Sequence, residues 1–369
     1  MKIIKESKVS KTGLFILIVI LGFNSFFITT TNQSSSNSLT IVVSLSIIGD
    51  WVENIVAGNI NVVSIVTGLE NPHTYDPTPS EIAAMVGADI FIRFGNPGLE
   101  PWIQSIIDAN PNFKNKTLTL IDYVNGEYMD YDPLIKANNA HVWMSPIKVG
   151  DMCRKIYELV AKLDPLNNST YYNHYLNYKN DLFELLIRID KAKQTFRGVK
   201  VVVHHPSFIY FFDLLGIERL GSIEEHEGSE PSVTHIAELV QLINDEKAAG
   251  TRILLVNQPQ LDEEDILGIS ESTGVDIVLL TPLLGVEIDP SLQPLFGNEI
   301  DNYIKMLDYN LYMLEHPIIR ATTTQSTDQG SYGFELTMLV LGLVISSRRK
   351  GKKSIVRTNP YRENFNKGK

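Results

Sequence analysis

Residues 168–196 read NSTYYNHYLNYKNDLFELLIRIDKAKQTF, a stretch without glycine or proline. Tyr171, Tyr175, Tyr178, Leu182, Leu185, Leu186 and Ile189 recur at steps of three and four, the period of a helix with one apolar face. Asp164-Pro165 precedes the stretch and Arg197-Gly198 closes it, so the spacing predicts a single helix of roughly eight turns over Asn168–Phe196. What lies on either side of it decides the fold.

On the amino-terminal side, Leu39 to Ser46 reads as a strand, Asp50 to Ala57 as a helix and Val62 to Val66 as a strand. Ser80 starts a second helix, and strands follow at Asp89–Phe94 and Thr117–Ile121. On the carboxy-terminal side the alternation restarts: strand Val199–Val203, helices Phe208–Leu215 and Ser232–Asn244, strand Arg252–Val256, helix Asp262–Ser272, strand Val275–Leu280 and a closing helix Asn298–Leu314. Strands alternating with helices predict mainly parallel sheets covered on both faces. The reading is therefore α/β, with one lobe over residues 40–164, a linking helix over 165–197 and a second lobe over 198–320.

The ends differ from this middle. Lys2, Lys5, Lys8 and Lys11 precede an apolar run from Leu14 to Phe27, the pattern of a signal peptide, assigned to residues 1–31 with a polar linker at 32–39. No cysteine stands directly after that run, which argues against a bacterial-type lipid anchor. At the other end, a Ser/Thr-rich spacer (321–332) leads to a short hydrophobic segment (333–347) and a basic tail (348–369). That order predicts a C-terminal membrane anchor with its basic end in the cytoplasm. The chain is thus expected on the extracellular face of the membrane. Outside residues 1–39 and 347–369 the sequence has 19 Lys and Arg against 41 Asp and Glu, about −22. Such a charge disfavours nucleic acid as a partner. A single cysteine, Cys153, excludes an internal disulfide and a thiolate cluster.

Three histidines stand in dense local motifs: His73 in Asn71-Pro72-His73-Thr74-Tyr75-Asp76-Pro77, His141 in Asn139-Ala140-His141-Val142-Trp143-Met144, and His205 in His204-His205-Pro206-Ser207-Phe208. They are 68 and 64 residues apart, so only the tertiary fold can bring them together. Two belong to the first lobe and one to the second, which places a shared site in the interlobe cleft. Three neutral imidazoles suit a borderline-soft divalent ion, zinc first. Strand alternation lets only one of His204 and His205 face the cleft.

These motifs resemble those of the zinc/manganese solute-binding receptors of ABC importers. Asn71 to Pro79 is similar to that family's Asp-Pro-His-x-Tyr-Glu-Pro-Thr-Pro motif, Ala140 to Met144 to its His-x-Trp motif, and His205 to Phe211 with Glu225 to Ser232 to its later motifs. The resemblance runs over about residues 40–317. It implies two lobes bridged by a rigid long helix with the metal between them, His73, His141 and His205 as ligands, and a membrane ABC permease with its ATPase as partners. It implies metal capture rather than bond-making chemistry. Manganese-type members have Glu where His205 stands, so imidazole there favours Zn²⁺ over Mn²⁺ or Fe²⁺.

Two departures leave alternatives open. The strand segment where the family often places a fourth, carboxylate ligand reads Leu279-Leu280-Thr281-Pro282-Leu283-Leu284. Water, or Glu287 or Asp289 from the next turn, is then expected to complete the shell. The His-rich acidic loop of many zinc members is absent from Asp122–Asn139. Asp76 is expected to orient a ligand imidazole, and Tyr75 and Trp143 to pack the ligand loops. His226 is read as part of a solvated acidic loop, and His174, His235 and His316 as surface or structural. Competing functions are a manganese or iron(II) receptor, a surface adhesion protein on the same scaffold, and a hydrolase with zinc on three histidines.

Overall fold

Ile41, Val42, Val43 and Leu45 are at most 1% exposed, as expected of a parallel strand covered on both faces. They belong to β1 (Thr40–Leu45), the inner strand on which the first lobe is built. The computed structural model describes residues 39–121, 129–225 and 228–317. The expected signal peptide, C-terminal spacer, anchor and basic tail, and His226, lie outside these residues. No helix among the described residues is long and apolar enough to cross a membrane.

The first lobe continues through α1 (Ser46–Val56), β2 (Asn61–Val66), α2 (Pro79–Gly87), β3 (Ile90–Arg93), α3 (Pro101–Ala109) and β4 (Thr117–Thr119). Its sheet has the order β2-β1-β3-β4, with every pairing parallel. The start of α2 departs from the Ser80 expectation. Thr78 is the cap, and it forms a reciprocal capping box with Glu81.

Two helices follow, α4 (Pro146–Leu163) and α5 (Asn168–Ala192). The sequence reading did not assign α4, although Val149, Met152, Cys153, Ile156 and Val160 lie on its buried face at helical spacing and Pro146 occupies its first turn. The long helix α5 ends at Ala192 rather than Phe196. At about 1.5 Å per residue it spans roughly 37 Å. Its buried stripe comprises the seven predicted residues and Ala192. Polar contacts fix it to both halves: Tyr178 donates to Asp50 of α1 (3.1 Å), and Arg188 forks onto Asp308 of the C-terminal helix (2.8 Å for both bonds).

The second lobe comprises β5 (Val199–Val203), α6 (Ile209–Leu215), β6 (Glu218–Ser222), α7 (Val233–Ala248), β7 (Arg252–Asn257), α8 (Glu264–Thr273), β8 (Ile277–Leu279) and finally α9 (Tyr303–Glu315). The sheet order is β8-β7-β5-β6, again all parallel. The closing helix starts later than Asn298 because Glu299–Ile300 pairs with Val286–Glu287. Asn302 then caps α9 by accepting from the Lys305 N–H.

Both sheets share one topology. The chain leaves the first strand to one side, then returns to pair on the other. Each lobe therefore has a switch point, between β1 and β3 and between β5 and β7. In such sheets the crevice lies beyond the carboxyl ends of the strands. One apolar cluster runs through α5 and the inner faces of both lobes, and a second packs α7 and α8 on the far face of the second sheet.

Candidate metal centre

The three histidines reach one point from three loops. His73 lies between β2 and α2, His141 immediately before the short helical turn Val142–Met144, and His205 two residues beyond β5. One nitrogen from each lies within 4.8 Å of the others. The ring centroids are 5.5, 5.1 and 5.1 Å apart. His141 and His205 are buried, and His73 is half-buried.

Each imidazole is oriented through Nδ1. His73 Nδ1 lies 2.8 Å from the Gly98 carbonyl, so it donates its proton there. Asn96 organises that loop by accepting from the N–H groups of Gly98 and Leu99, and buried Glu100 does so by accepting from the Gly95 N–H. His141 Nδ1 lies 2.9 Å from Asn139 Oδ1. The Asn139 amide nitrogen donates to Asp132 and to the Pro206 carbonyl, which fixes its oxygen as the acceptor. Arg219 in turn forks onto Asp132 at 2.7 and 2.9 Å. His205 Nδ1 lies 2.6 Å from Glu224 Oε2.

With Nδ1 protonated in all three rings, the neutral tautomers present Nε2 lone pairs to the centre. His141 Nε2 and His205 Nε2 are 3.3 Å apart. Two such lone pairs repel unless a cation sits between them. Two nitrogens held at 2.0–2.1 Å by a tetrahedral zinc ion would be separated by about 3.3 Å.

Electrostatics keep two of the donors, His73 and His141, unprotonated. Burial, then the neighbouring His205, lowers the His73 pKa to about 4. Burial and the two other rings push His141 well below the usual imidazole value. Burial alone would raise the Glu224 carboxyl, but the His205 hydrogen bond and the Gly228 N–H hold it below the usual range. The chamber is lined by His73, His141, Trp143, His205, Gln260 and Leu283, among others. It leaves about 20 Å³ for a water-sized occupant, room for roughly one ion or water.

Several expectations need adjustment. Glu287 is exposed on the Val286–Glu287 strand, and Asp289 is an exposed turn residue that accepts from Ser291. Neither belongs to the histidine group. Asp76 is exposed, and the acceptor for His73 Nδ1 is the Gly98 backbone. His204 points away to Asn257, as alternation requires. Thr281 is wholly buried and bonded to Leu283 and Asn310. Trp143 packs beside the His141 ring at 5.1 Å and donates to the Pro282 carbonyl, while Tyr75 stacks edge-on to Trp102 and donates to Glu81. His174, His235 and His316 bond to backbone carbonyls elsewhere. The sequence reading passed over Glu224 and Asn139 as supports. Asn139 was adjacent to its motif, whereas nothing local linked Glu224 to a histidine 19 residues earlier.

Residues 41–316 match the family described as zinc-uptake complex component A, periplasmic. The chain belongs to this zinc-uptake component A family. Among its relatives, the manganese-binding lipoprotein MntA of Halalkalibacterium halodurans is 25% identical, over 76% of this chain and 89% of that protein. The zinc-binding lipoprotein AdcA of Streptococcus pneumoniae strain R6 is 22% identical, over 82% of this chain and 59% of its own length. A crystal structure of ZnuA superposes with a TM-score of 0.63 at 22% identity, covering 75% of this chain and 98% of that one. The periplasmic zinc-binding protein TroA of Treponema pallidum superposes with a TM-score of 0.64 at 18% identity, with the same coverage. The two α/β lobes and long helix are the fold of these neighbours.

Proposed function

We propose that this chain is a surface-tethered receptor that captures one divalent transition metal, Zn²⁺, on His73, His141 and His205 and delivers it to an ABC permease and its ATPase. The observation that carries the reading is the approach of His141 and His205 Nε2 to 3.3 Å with both Nδ1 atoms committed elsewhere. Such a pair is built for a cation. Family membership supports transport as the use of that cation.

Three imidazole donors favour zinc, because imidazole suits zinc whereas carboxylate oxygen suits manganese. Manganese is the second reading, supported by the similarity to a manganese-binding lipoprotein. The hydrophobic segment at 333–347 with its basic tail supports tethering at the extracellular face. Among the described residues, His73, His141 and His205 form the group that could hold a metal, and the family is one of binding components of uptake systems.

The test is metal competition. The full chain, stripped of metal and offered equal Zn²⁺ and Mn²⁺, is expected to retain one zinc per molecule. Retention of manganese instead would overturn the zinc assignment, and retention of neither would overturn the receptor.

A further inference from the structure

The histidines supply three donors, whereas a tetrahedral ion takes four. The geometry points to Gln260 as the fourth: its side-chain oxygen is the donor that completes the metal's shell from the second lobe. This inference rests on the metal-receptor reading above.

Gln260 lies in the loop after β7, at the switch point of the second sheet, and lines the same chamber as the three histidines. Its Nε2 donates to the Gly68 carbonyl at 3.0 Å. A carbonyl can only accept, so this bond fixes which end of the amide is nitrogen. Oε1 is therefore the remaining end, and among the described residues it is buried without a hydrogen-bond partner. A buried acceptor left in this condition is costly, and such groups mark places where an ion or ligand belongs. The neighbouring Gln258 lines the chamber too, but its Oε1 accepts from Ser207 at 2.9 Å. Of the two amide oxygens, only that of Gln260 is uncommitted. Carbonyl oxygen is a neutral, hard donor, so the shell becomes three nitrogens and one oxygen with no added charge.

The amide also joins the lobes. Gly68 follows β2 and leads to the His73 loop. A Cβ there would lie 2.2 Å from the Leu284 carbonyl oxygen, and one on Gly285 would lie 2.6 Å from that of Thr67. The two lobes thus meet backbone to backbone beside the chamber. One amide grips that junction through its nitrogen, and the same residue lines the chamber. Metal captured at Oε1 would hold the junction closed.

The test compares Gln260→Leu and Gln260→Glu with the unaltered chain. Zn²⁺ affinity is read by competition with a chromophoric chelator, and coordination by the visible absorption of bound Co²⁺. Gln260→Leu is expected to weaken Zn²⁺ by about tenfold or more and to change the Co²⁺ spectrum. Gln260→Glu is expected to bind at least as tightly as the unaltered chain, with a changed spectrum, because a carboxylate replaces the amide oxygen. If Gln260→Leu does not fold, the glutamate variant decides alone. Affinity and spectrum unchanged in the variants, while the unaltered chain holds one metal, would overturn the role of Gln260. No metal on the unaltered chain would instead overturn the receptor and this inference with it.

Discussion

The two lobes have the same strand order, yet they present their histidines differently. In the first lobe, His73 comes from a loop bracketed by Pro72 and Pro77 and donates to a backbone carbonyl, that of Gly98. In the second, His205 emerges two residues past β5 and donates to a carboxylate, Glu224. A carbonyl orients an imidazole without adding charge. A carboxylate orients it, makes it more basic and offsets part of the charge of a bound cation. The comparison teaches that one fold, used twice, gives a neutral support on one side of the cleft and an anionic support on the other.

The sharpest way to break this asymmetry is to remove its anionic side. His205→Ala should weaken Zn²⁺ by at least about 100-fold, since each of a few ligands carries a large share of a metal's binding energy; isothermal titration or chelator competition measures it. Glu224→Gln keeps a hydrogen-bond acceptor for His205 but removes the charge. It should weaken Zn²⁺ by about 10–100-fold with the fold intact. A loss under threefold in the same assay would show that the two supports are equivalent.

Acid provides a milder probe. His73 has a folded pKa of about 4 against about 6.5 when unfolded. The unfolded chain takes up the proton first, so the metal-free protein should lose stability as pH falls from 6.5 toward 4. The loss expected from this ring is about 2 kcal/mol after allowing for its partial exposure. Urea melts of the metal-free chain would measure it. Because His73 and His141 stay neutral well below the usual imidazole pKa, protons should compete with metal for these two donors at a lower pH than for ordinary histidines.

Asp50, beneath the long helix, should show the opposite slope. Burial raises its pKa to about 6 although Tyr303 N–H and Tyr178 donate to it. The folded state holds the proton more tightly, so this group's stabilisation is lost as pH rises from about 4 through 6. Asp50→Asn should flatten that part of the profile, with a gain of about 1 kcal/mol at pH 7. Parallel melts of the two proteins at pH 4.5 and 7 would check it.

Much of this arrangement was legible in the sequence because it was periodic or local. The stripe from Tyr171 to Ile189 predicted the long helix, and the alternation on each side predicted two lobes. The motif histidines were visible individually. What was not legible depended on contacts across the chain. Glu224 reaches His205 only because β6 lies beside β5, and the Gly98 support is backbone, which has no residue signature. Asn302, which sets the start of α9, is effective only because the preceding residues pair as a strand. Helix α4 was different: its stripe from Val149 to Val160 was readable, but the segment between the His141 motif and the long helix received no reading of its own.

The central claim is that three imidazoles from two lobes meet on one transported ion. Zinc-edge X-ray absorption of the full chain loaded with one equivalent of Zn²⁺ tests it most directly. The expected shell has three imidazole nitrogens and one oxygen at about 2.0–2.1 Å. A shell with one imidazole or none would contradict the claim, because the ion would then be bound somewhere other than the interlobe chamber.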